Sequence, residues 1–450
     1  MFLNMLYNLK QNNMTRLIII SLLFVSNSLF AQSLIDIYKK GTVKLVPDKE
    51  FAQGNNWKKI FPNYYDTNKP MGDKRSIVMF PDGSVVVNYE RKDYYAKFDS
   101  KGKFIEDFGI INSSGKQLMD NNQPIKGVMG NVFFTGTDNM GKMICCDFTG
   151  KHIKTLKLNY GTRDMIPLSN NKIAVVGRAM LEAKFCDFVA IVDYKTNEEK
   201  IIWEHFIDEN NGVQIKVYSS EEFDKMMNER RRMFSYYYFF NKKERMSFNT
   251  MPFSEGSSNS SSPMITFVKK HLIIAIPATG EILTYTIDGK FISKEKIGWS
   301  SNEISVDEQK EIQKNAIEKF EETQVPFRTA SKEENDKAKE IIIKQMKEDL
   351  NNITTPIKIP AFSTIIKDSD ENLLFFEIPK ENGANKFNVW VYDNGGKFIS
   401  QSRFECDEYN LSITPSAMVF HNGYIYSLQT LKETTDNPLR LVRFKLTNKE

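Results

Sequence analysis

The sequence predicts an all-β fold in which one four-stranded unit is repeated. One pattern recurs along the chain: an alternating apolar run ending in Asp, a short turn with Gly and Lys, and a second alternating run, as at Tyr95–Ile105 and Met143–Ile153. A second hairpin precedes each copy, as Ser76–Val87 precedes the first. Period-2 runs joined by Gly or Asn turns are typical of β-hairpins. Each repeat therefore supplies four strands.

The spacing of the repeats sets their number. The Asp residues that open the turns are Asp99, Asp147, Asp193, Asp288 and Asp393. Their successive separations are 48, 46, 95 and 105 residues. A four-stranded blade takes roughly 40 to 50 residues, so the two long separations each hold one blade and an insertion. With a sixth copy at Leu441–Glu450, the sequence predicts a six-bladed β-propeller over residues 32–450, the radial architecture that leaves only short edges.

The two ends of the chain are predicted to close this ring. The sixth unit has only three strands before the sequence ends, so it lacks an outer strand. Thr42–Pro47 is an apolar segment that can supply that strand from the N-terminal side. The first and last strands would then pair with each other and tie the ring.

The turn motifs carry a resemblance to a known group of proteins. The Asp-x-x-Gly-Lys-Phe turns, the turn at Pro81–Gly83 and the entry segment Leu45–Asp48 resemble those of exported bacterial six-bladed β-propellers, relatives of NHL-repeat and TolB-like propellers. The resemblance covers roughly residues 34–450 apart from the insertions. It implies the fold but no particular activity, because the shared residues lie in turns and strands.

The N-terminus reads as a secretory signal peptide over residues 1–31. Arg16 precedes the apolar run Leu17–Phe30, and the small residue Ala31 follows it. This order of a basic, an apolar and a small-residue region is typical of a cleaved signal, and Met14 is an alternative start to Met1. The run is shorter than the roughly 18 residues of a membrane span; an uncleaved anchor is the alternative. We therefore expect an exported protein, periplasmic or secreted, without stable membrane insertion after cleavage.

Composition limits the partners. The net charge is only +4 in 450 residues, whereas nucleic-acid readers usually carry a concentrated basic face. Nucleic acid is therefore not an expected partner. The expected partners are a glycan or peptide ligand, or another protein.

The four cysteines do not predict a disulfide framework or a zinc site. Cys145 and Cys146 are neighbours in a predicted strand, so their side chains point to opposite faces. Cys186 and Cys406 are distant in sequence, and no zinc-ligand spacing occurs. Buried free thiols are predicted.

The first insertion, residues 208–263, falls between blades 3 and 4. Ser219–Glu222 is a capping box that opens a helix through Arg232. An aromatic run with basic flanks follows it, and then a segment of small polar residues.

The second insertion, residues 299–360, falls between blades 4 and 5 and is predicted to be a helical hairpin. Ser305–Glu308 and Ser331–Glu334 are capping boxes. The apolar positions that recur along its helices are Ile312, Ala316, Phe320, Ala338, Ile342, Met346 and Leu350. The two insertions carry net charges of opposite sign. They would pack on each other, form a lid over a ligand funnel, or dock a partner protein.

Candidate binding residues lie at the predicted mouth of the propeller, the face that both insertions cap. Strand starts, one loop and the segment joining blade six to blade one supply them. They are Arg75, Arg163, Asp164, Arg178, Trp57, Tyr64 and Tyr65. Aromatic rings beside Arg and Asp suit a sugar or a peptide carboxylate; rim ion pairs and packing are the alternative.

No catalytic set is recognisable. The four histidines are His152, His205, His271 and His421, and three of them fall at turns on the opposite face. No nucleophile-elbow, zinc-protease or phosphate-loop motif occurs, and Asp368–Asn372 departs from a calcium loop. No cofactor or metal site is predicted. A binding or scaffold protein is favoured; a hydrolase or lyase acting on a glycan or peptide with mouth carboxylates and arginines is the alternative.

Overall fold

The computed structural model describes the chain in segments. They are residues 33–61, 76–88, 94–112, 114–115, 125–137, 141–158, 160–169, 171–181, 184–206, 262–298, 303–322, 332–358, 360–377, 386–411, 418–432 and 439–448. Several sequence-based predictions lie outside these residues: the signal peptide, the content of the first insertion, the capping residue Ser331, and the candidate residues Tyr64, Tyr65 and Arg75.

The N-terminal segment begins with a capped helix. The Ser33 hydroxyl accepts a hydrogen bond from the Asp36 amide and starts helix α1 (Leu34–Lys39), as N-cap serines do. Strand β1 (Thr42–Pro47) and the single-turn helix α2 (Trp57–Ile60) follow.

Four antiparallel sheets each consist of four consecutive strands paired in chain order, and a fifth group of four such strands forms one end of a nine-stranded sheet. We number these groups as sheets one to five. Sheet one contains β2 (Ser76–Met79), β3 (Val85–Asn88), β4 (Tyr95–Phe98) and β5 (Phe104–Phe108). Sheet two contains β6 (Ile125–Met129), β7 (Val132–Thr137), β8 (Lys142–Asp147) and β9 (His152–Lys157). Sheet three contains β10 (Gly161–Pro167), β11 (Lys172–Leu181), β12 (Lys184–Asp193) and β13 (Glu199–Phe206). Sheet four contains β14 (Met264–Val268), β15 (His271–Ile276), β16 (Glu281–Thr286) and β17 (Phe291–Lys296). Sheet five contains β20 (Thr364–Lys367), β21 (Leu373–Phe376), β22 (Lys386–Tyr392) and β23 (Phe398–Glu405).

The other end of the nine-stranded sheet, which we call sheet six, uses strands from both ends of the described chain. Sheet six contains β25 (Met418–His421), β26 (Tyr424–Leu431) and β27 (Arg440–Thr447), with β1 as its outer strand. β1 runs antiparallel to β27, with Lys44 opposite Thr447 and Pro47 opposite Phe444. The predicted pairing of residues 42–47 with the last strand is therefore present. β1 also pairs in parallel with β23 of sheet five, and the short β24 (Tyr409–Asn410) pairs with β26.

The apolar core lies between neighbouring sheets. Six buried clusters occur among the described residues, each shared by two sheets that follow one another. The cluster around Phe98, Val87 and Leu441 joins sheet six back to sheet one. The first strands contact one another in the same sequence, with β2 touching β6, β6 touching β10, and so on to β25, which touches β2.

The predicted turn chemistry explains the recurring Asp and Gly. The Asp147 carboxylate accepts hydrogen bonds from the Thr149 and Lys151 amides, and Asp99 and Asp393 do the same in their turns. Gly150 has a φ of +84°, and a Cβ there would lie 2.3 Å from the Gly109 carbonyl oxygen. These residues therefore shape the turns.

The fourth copy of the motif corrects the sequence analysis. The residue that opens its turn is Thr286, whose hydroxyl accepts from the Lys290 amide while its carbonyl accepts from Gly289. Asp288, which was predicted to hold that position, lies inside the turn and forms an ion pair with Lys172 of sheet three. A threonine hydroxyl accepts the same hydrogen bond as a carboxylate at this position. Aligning the motif on Asp therefore placed the start of the turn two residues too late.

A helical hairpin separates sheets four and five. Helix α3 (Val306–Glu322) packs against α4 (Lys332–Asn351), and β18 (Glu303–Ile304) pairs with β19 (Ile357–Lys358) at their base. The predicted capping box is present: Ser305 Oγ accepts from the Glu308 amide at 3.2 Å, and the Glu308 carboxylate accepts from the Ser305 amide at 2.9 Å. Phe320 and Met346, from the predicted apolar faces, are buried, as is Ile317. No helix among the described segments is long and apolar enough to cross a membrane.

The four cysteines are buried free thiols, as predicted. Cys145 and Cys146 enter different core clusters, because neighbouring strand residues face opposite sides of a sheet. Burial raises the pKa of Cys145 to about 11. This thiol is therefore protonated at neutral pH and is a poor nucleophile.

Candidate functional site

Both insertions leave the sheets at the same end. Residues 207–261 connect β13 to β14, and the helical hairpin connects β17 to β20. Because successive strands of each sheet alternate in direction, these connections lie where the first strands β10, β14 and β20 begin. We call this end the insertion face. The register of β10 with β11 places Gly161 opposite Arg178, so Arg178 is at the same end.

A buried ion pair lies at the insertion face. Arg178 and Asp187 are directly opposite each other on β11 and β12. Arg178 donates from Nε to Asp187 Oδ1 at 2.5 Å and from Nη2 to Oδ2 at 2.6 Å. The Asp187 side chain is 2% exposed and that of Arg178 is 17% exposed. Two parallel hydrogen bonds neutralise the buried carboxylate and fix the guanidinium, as bidentate pairs do.

Arg163 joins this pair through Ser262. Its Nη1 donates to Ser262 Oγ at 2.9 Å, and the Ser262 hydroxyl donates to Asp187 Oδ2 at 3.5 Å. Burial and the Arg178 charge lower the pKa of Arg163, and Asp187 acts in the opposite sense. The guanidinium nevertheless remains charged. Two arginines therefore converge on one carboxylate, which leaves a surplus of positive charge.

β-bulges place the cations of this site. The pairing of β10 with β11 shifts between Thr162 and Asp164, so Arg163 is the extra residue. The pairing of β6 with β7 shifts between Ile125 and Gly127, so Lys126 is the extra residue in the neighbouring sheet. A bulge re-aims the side chain of the added residue and often lies beside a functional site. The first strands of two adjacent sheets thus present a cation in the same way.

Asp164 lies beside Lys126. Lys126 Nζ is 3.7 Å from Asp164 Oδ1, and the two side chains are 25% and 41% exposed. The Asp164 Oδ1 also accepts from the Met165 amide at 2.9 Å. Surrounding protein withdraws the carboxylate from bulk water and raises the pKa of Asp164, while Lys126 acts to lower it. Asp164 is therefore a partly exposed carboxylate with a protein environment on its remaining sides.

The structure divides the predicted binding residues into two groups. Arg163, Asp164 and Arg178 meet at the insertion face. Trp57 lies elsewhere: its ring stacks on Phe61 with centroids 5.9 Å apart, beside the core shared by sheets one and six.

Sequence reasoning missed three residues of this site, Lys126, Asp187 and Ser262. Arg178 and Asp187 are symmetric about the tip of their hairpin, because Leu181 pairs with Lys184. A register for that hairpin would have identified Asp187. Nothing in the sequence alone connects Ser262 to Arg163, which is 99 positions away.

The described residues offer no metal site. No three His, Cys, Asp or Glu side chains come close enough together there to hold an ion. The chemistry available at the insertion face is therefore that of fixed cations, one fully paired carboxylate and one accessible carboxylate.

No protein-family model matches the chain, and no curated protein matches it in sequence. Solved structures are similar over most of its length. A member of the DUF4221 family from Bacteroides vulgatus has 12% identity and a TM-score of 0.45, covering 91% of this chain and 99% of that one. A Bacteroides fragilis protein named as exported has 9% identity and a TM-score of 0.43, covering 93% and 98%. A streptogramin B lyase has 12% identity and a TM-score of 0.36, covering 84% and 85%.

Proposed function

We propose that the chain is an exported six-bladed β-propeller that binds a ligand or a partner protein at its insertion face. The contact of β25 with β2, and the cluster that sheets six and one share, support a closed ring. The place of β1 between β23 and β27 supports closure by the chain ends. The apolar segment before Ala31 supports export.

The observation that carries the proposed binding is the pair of bulged cations. Lys126 and Arg163 interrupt the pairing of two adjacent first strands at the insertion face. Bulges also occur where third and fourth strands pair, as in β4 with β5 and β16 with β17. The two at the insertion face differ because they lie in first strands and each carries a cation. A ligand that contacts both cations explains their placement.

The charge of the site favours an anionic ligand. Arg163, Arg178 and Lys126 are the cations of the site, and Asp187 and Asp164 are its described acids. The cations therefore exceed these acids by one charge. A carboxylate accepts charge-assisted hydrogen bonds from such groups. The proposed ligand is a peptide or glycan that carries a carboxylate, and Asp164 would accept from its hydroxyl or amide groups.

The alternative is a hydrolase or lyase that uses the same residues. The raised pKa of Asp164 favours it, because a general acid must hold a proton near neutral pH. Glycoside cleavage uses two carboxylates, whereas Asp187 is sequestered by Arg178. Binding is therefore the better supported function.

A thermal-shift screen of residues 32–450 tests this proposal. The probes are acidic oligosaccharides and peptides with a free carboxylate. A probe at one hundred times its dissociation constant adds about 2.7 kcal/mol, which raises the melting temperature measurably. We expect a shift that Arg163→Gln and Lys126→Gln abolish and that Arg403→Gln, an exposed control on β23, leaves intact.

Two further readouts complete the test. Deleting residues 303–355 asks whether the helical hairpin contributes to the ligand site. Product release from the same panel, lost with Asp164→Asn, would favour the enzyme instead. A screen without shifts, or shifts indifferent to both cation variants, would contradict the proposed site.

A further inference from the structure

Within the described part of the chain, the outer edge of β27 is only half covered. β1 pairs with β27 from Thr447 to Phe444, and the Asp48 amide then donates to the Arg443 carbonyl at 2.8 Å. The chain leaves the sheet at this point: Phe51 N–H donates to the Asp48 carbonyl, and the Ala52 amide donates to Lys101 of sheet one. Among the described residues, no strand continues beside residues 440–442.

Backbone groups of Leu441 face this open edge. In an antiparallel sheet the N–H and C=O of alternate residues point to the same side. The Arg443 carbonyl points towards β1, so the amide and carbonyl of Leu441, two residues earlier, point the same way. Strand edges of this kind accept an additional strand.

A cavity of about 520 Å³ lies along the open edge. Its lining comes from both faces of sheet six, since Leu441 belongs to the core shared with sheet one and Val442 to the core shared with sheet five. Phe51 and Trp57 line the first side, and Tyr409 and Arg440 line the second. The open edge of β27 therefore divides this cavity into two halves, one on each face of sheet six, and different residues line each half.

The two halves differ in chemistry. The side of Phe51 and Trp57 is aromatic. On the other side, the Arg440 side chain interacts with the Tyr409 hydroxyl, while its Nε is buried and has no hydrogen-bond acceptor among the described residues. A buried donor without an acceptor costs free energy. A ligand with a hydrogen-bond acceptor at this position would remove that cost.

We propose that the open edge of β27 binds an extended peptide whose alternate side chains are apolar and acidic. The peptide occupies the position that β1 vacates after Asp48 and pairs with Leu441. Its apolar side chain enters the half with Trp57, and its carboxylate accepts from Arg440. Main-chain hydrogen bonds with alternate side-chain pockets are the recognised mode of strand addition. This site is separate from the insertion face and does not depend on the function proposed there.

Fluorescence anisotropy with labelled hexapeptides tests the proposal on the protein of residues 32–450. The probe peptides alternate Val and Glu in both phases. One control set replaces Glu with Lys, and a second replaces a central Val with Pro, which lacks the amide donor. We expect saturable binding of the Val-Glu peptides, and affinity lower by about tenfold or more for both control sets and for Arg440→Gln, as for a lost charge-assisted hydrogen bond. Arg403→Gln should bind like the parent.

Amide hydrogen exchange gives a readout that does not depend on any variant. We expect the Val-Glu peptide to slow exchange at Leu441 in the parent protein. The proposal is overturned if the Val-Glu peptides do not bind or bind no better than the Lys set. Binding without protection of Leu441 would equally overturn it.

Discussion

At the residue scale, the insertion face is built on one buried charge. Asp187 is 2% exposed and is satisfied by two hydrogen bonds from Arg178. A buried carboxylate is tolerated only while such a partner remains, because its desolvation is costly. The position of Arg163 depends in turn on Ser262 and Asp187.

Arg178→Ala is therefore expected to be strongly destabilising. It leaves Asp187 buried without its cation, and we expect the free energy of unfolding to fall by about 3 kcal/mol, measured by urea denaturation. Lys344→Ala is the control, because its ion pair with Glu348 is exposed and worth little. The double variant Arg178→Met/Asp187→Leu should regain most of the loss. Equal effects of the two single variants would disprove the assignment.

Asp164 should impose a pH dependence on stability. The surrounding protein raises its folded-state pKa by partial desolvation. Its contribution to stability is therefore present below the unfolded pKa of about 3.9 and lost as pH rises through the folded value. Asp164→Asn has no proton to lose there. We expect the stability of the variant not to fall as pH rises, and to be at least that of the parent at neutral pH. Urea unfolding from acidic to neutral pH measures both. Identical pH profiles would contradict a raised pKa.

Sequence reasoning recovered part of this site. Arg163, Asp164 and Arg178 lie at the predicted end of their sheet, because strand starts and hairpin ends could be assigned from the repeat. Their role in binding stays a prediction. Lys126 and Arg163 owe their orientation to bulges, and a one-residue register shift leaves no mark in an alternating pattern. Trp57 precedes the first blade, where no repeat shows the position of a residue, and it was therefore assigned to the same site. In the structure its ring stacks on Phe61 instead.

At the scale of elements, local signals were the most informative. The Ser305–Glu308 box predicted the start of α3 because both of its hydrogen bonds are local. The repeat predicted the strand hairpins for the same reason. The repeat gave the wrong turn residue in sheet four. The residue that opens this turn is Thr286, whose hydroxyl takes the place of the expected carboxylate, whereas the motif was aligned on the nearby Asp288.

The capping box supports a prediction for the helical hairpin. Ser305→Ala removes the acceptor of the Glu308 amide, which costs about 1 kcal/mol at the helix start. We expect amide exchange in the first turn of α3 to accelerate roughly fivefold. Ser305→Asp keeps a capping acceptor and should exchange like the parent. Unchanged exchange in the alanine variant would show that the cap does not hold the helix.

At the scale of the whole molecule, the arrangement depends on distant contacts. The sequence predicted a strand at Thr42–Pro47 and its pairing with the last strand, and β1 pairs with β27. It did not predict the parallel pairing of β1 with β23, which arises only when sheets five and six are adjacent. The number of blades and the closure of the ring stay predictions, supported by the contact of β25 with β2.

A crystal structure of residues 32–450 would show directly whether the sheets form a closed ring with the cations at its mouth. We expect six four-stranded sheets around one central channel, with β25 beside β2 and β1 between β23 and β27. We also expect Lys126, Arg163 and Asp164 to line the channel mouth at the insertion face. A gap between β25 and β2, a different number of sheets, or those three side chains turned away from the channel would contradict this arrangement.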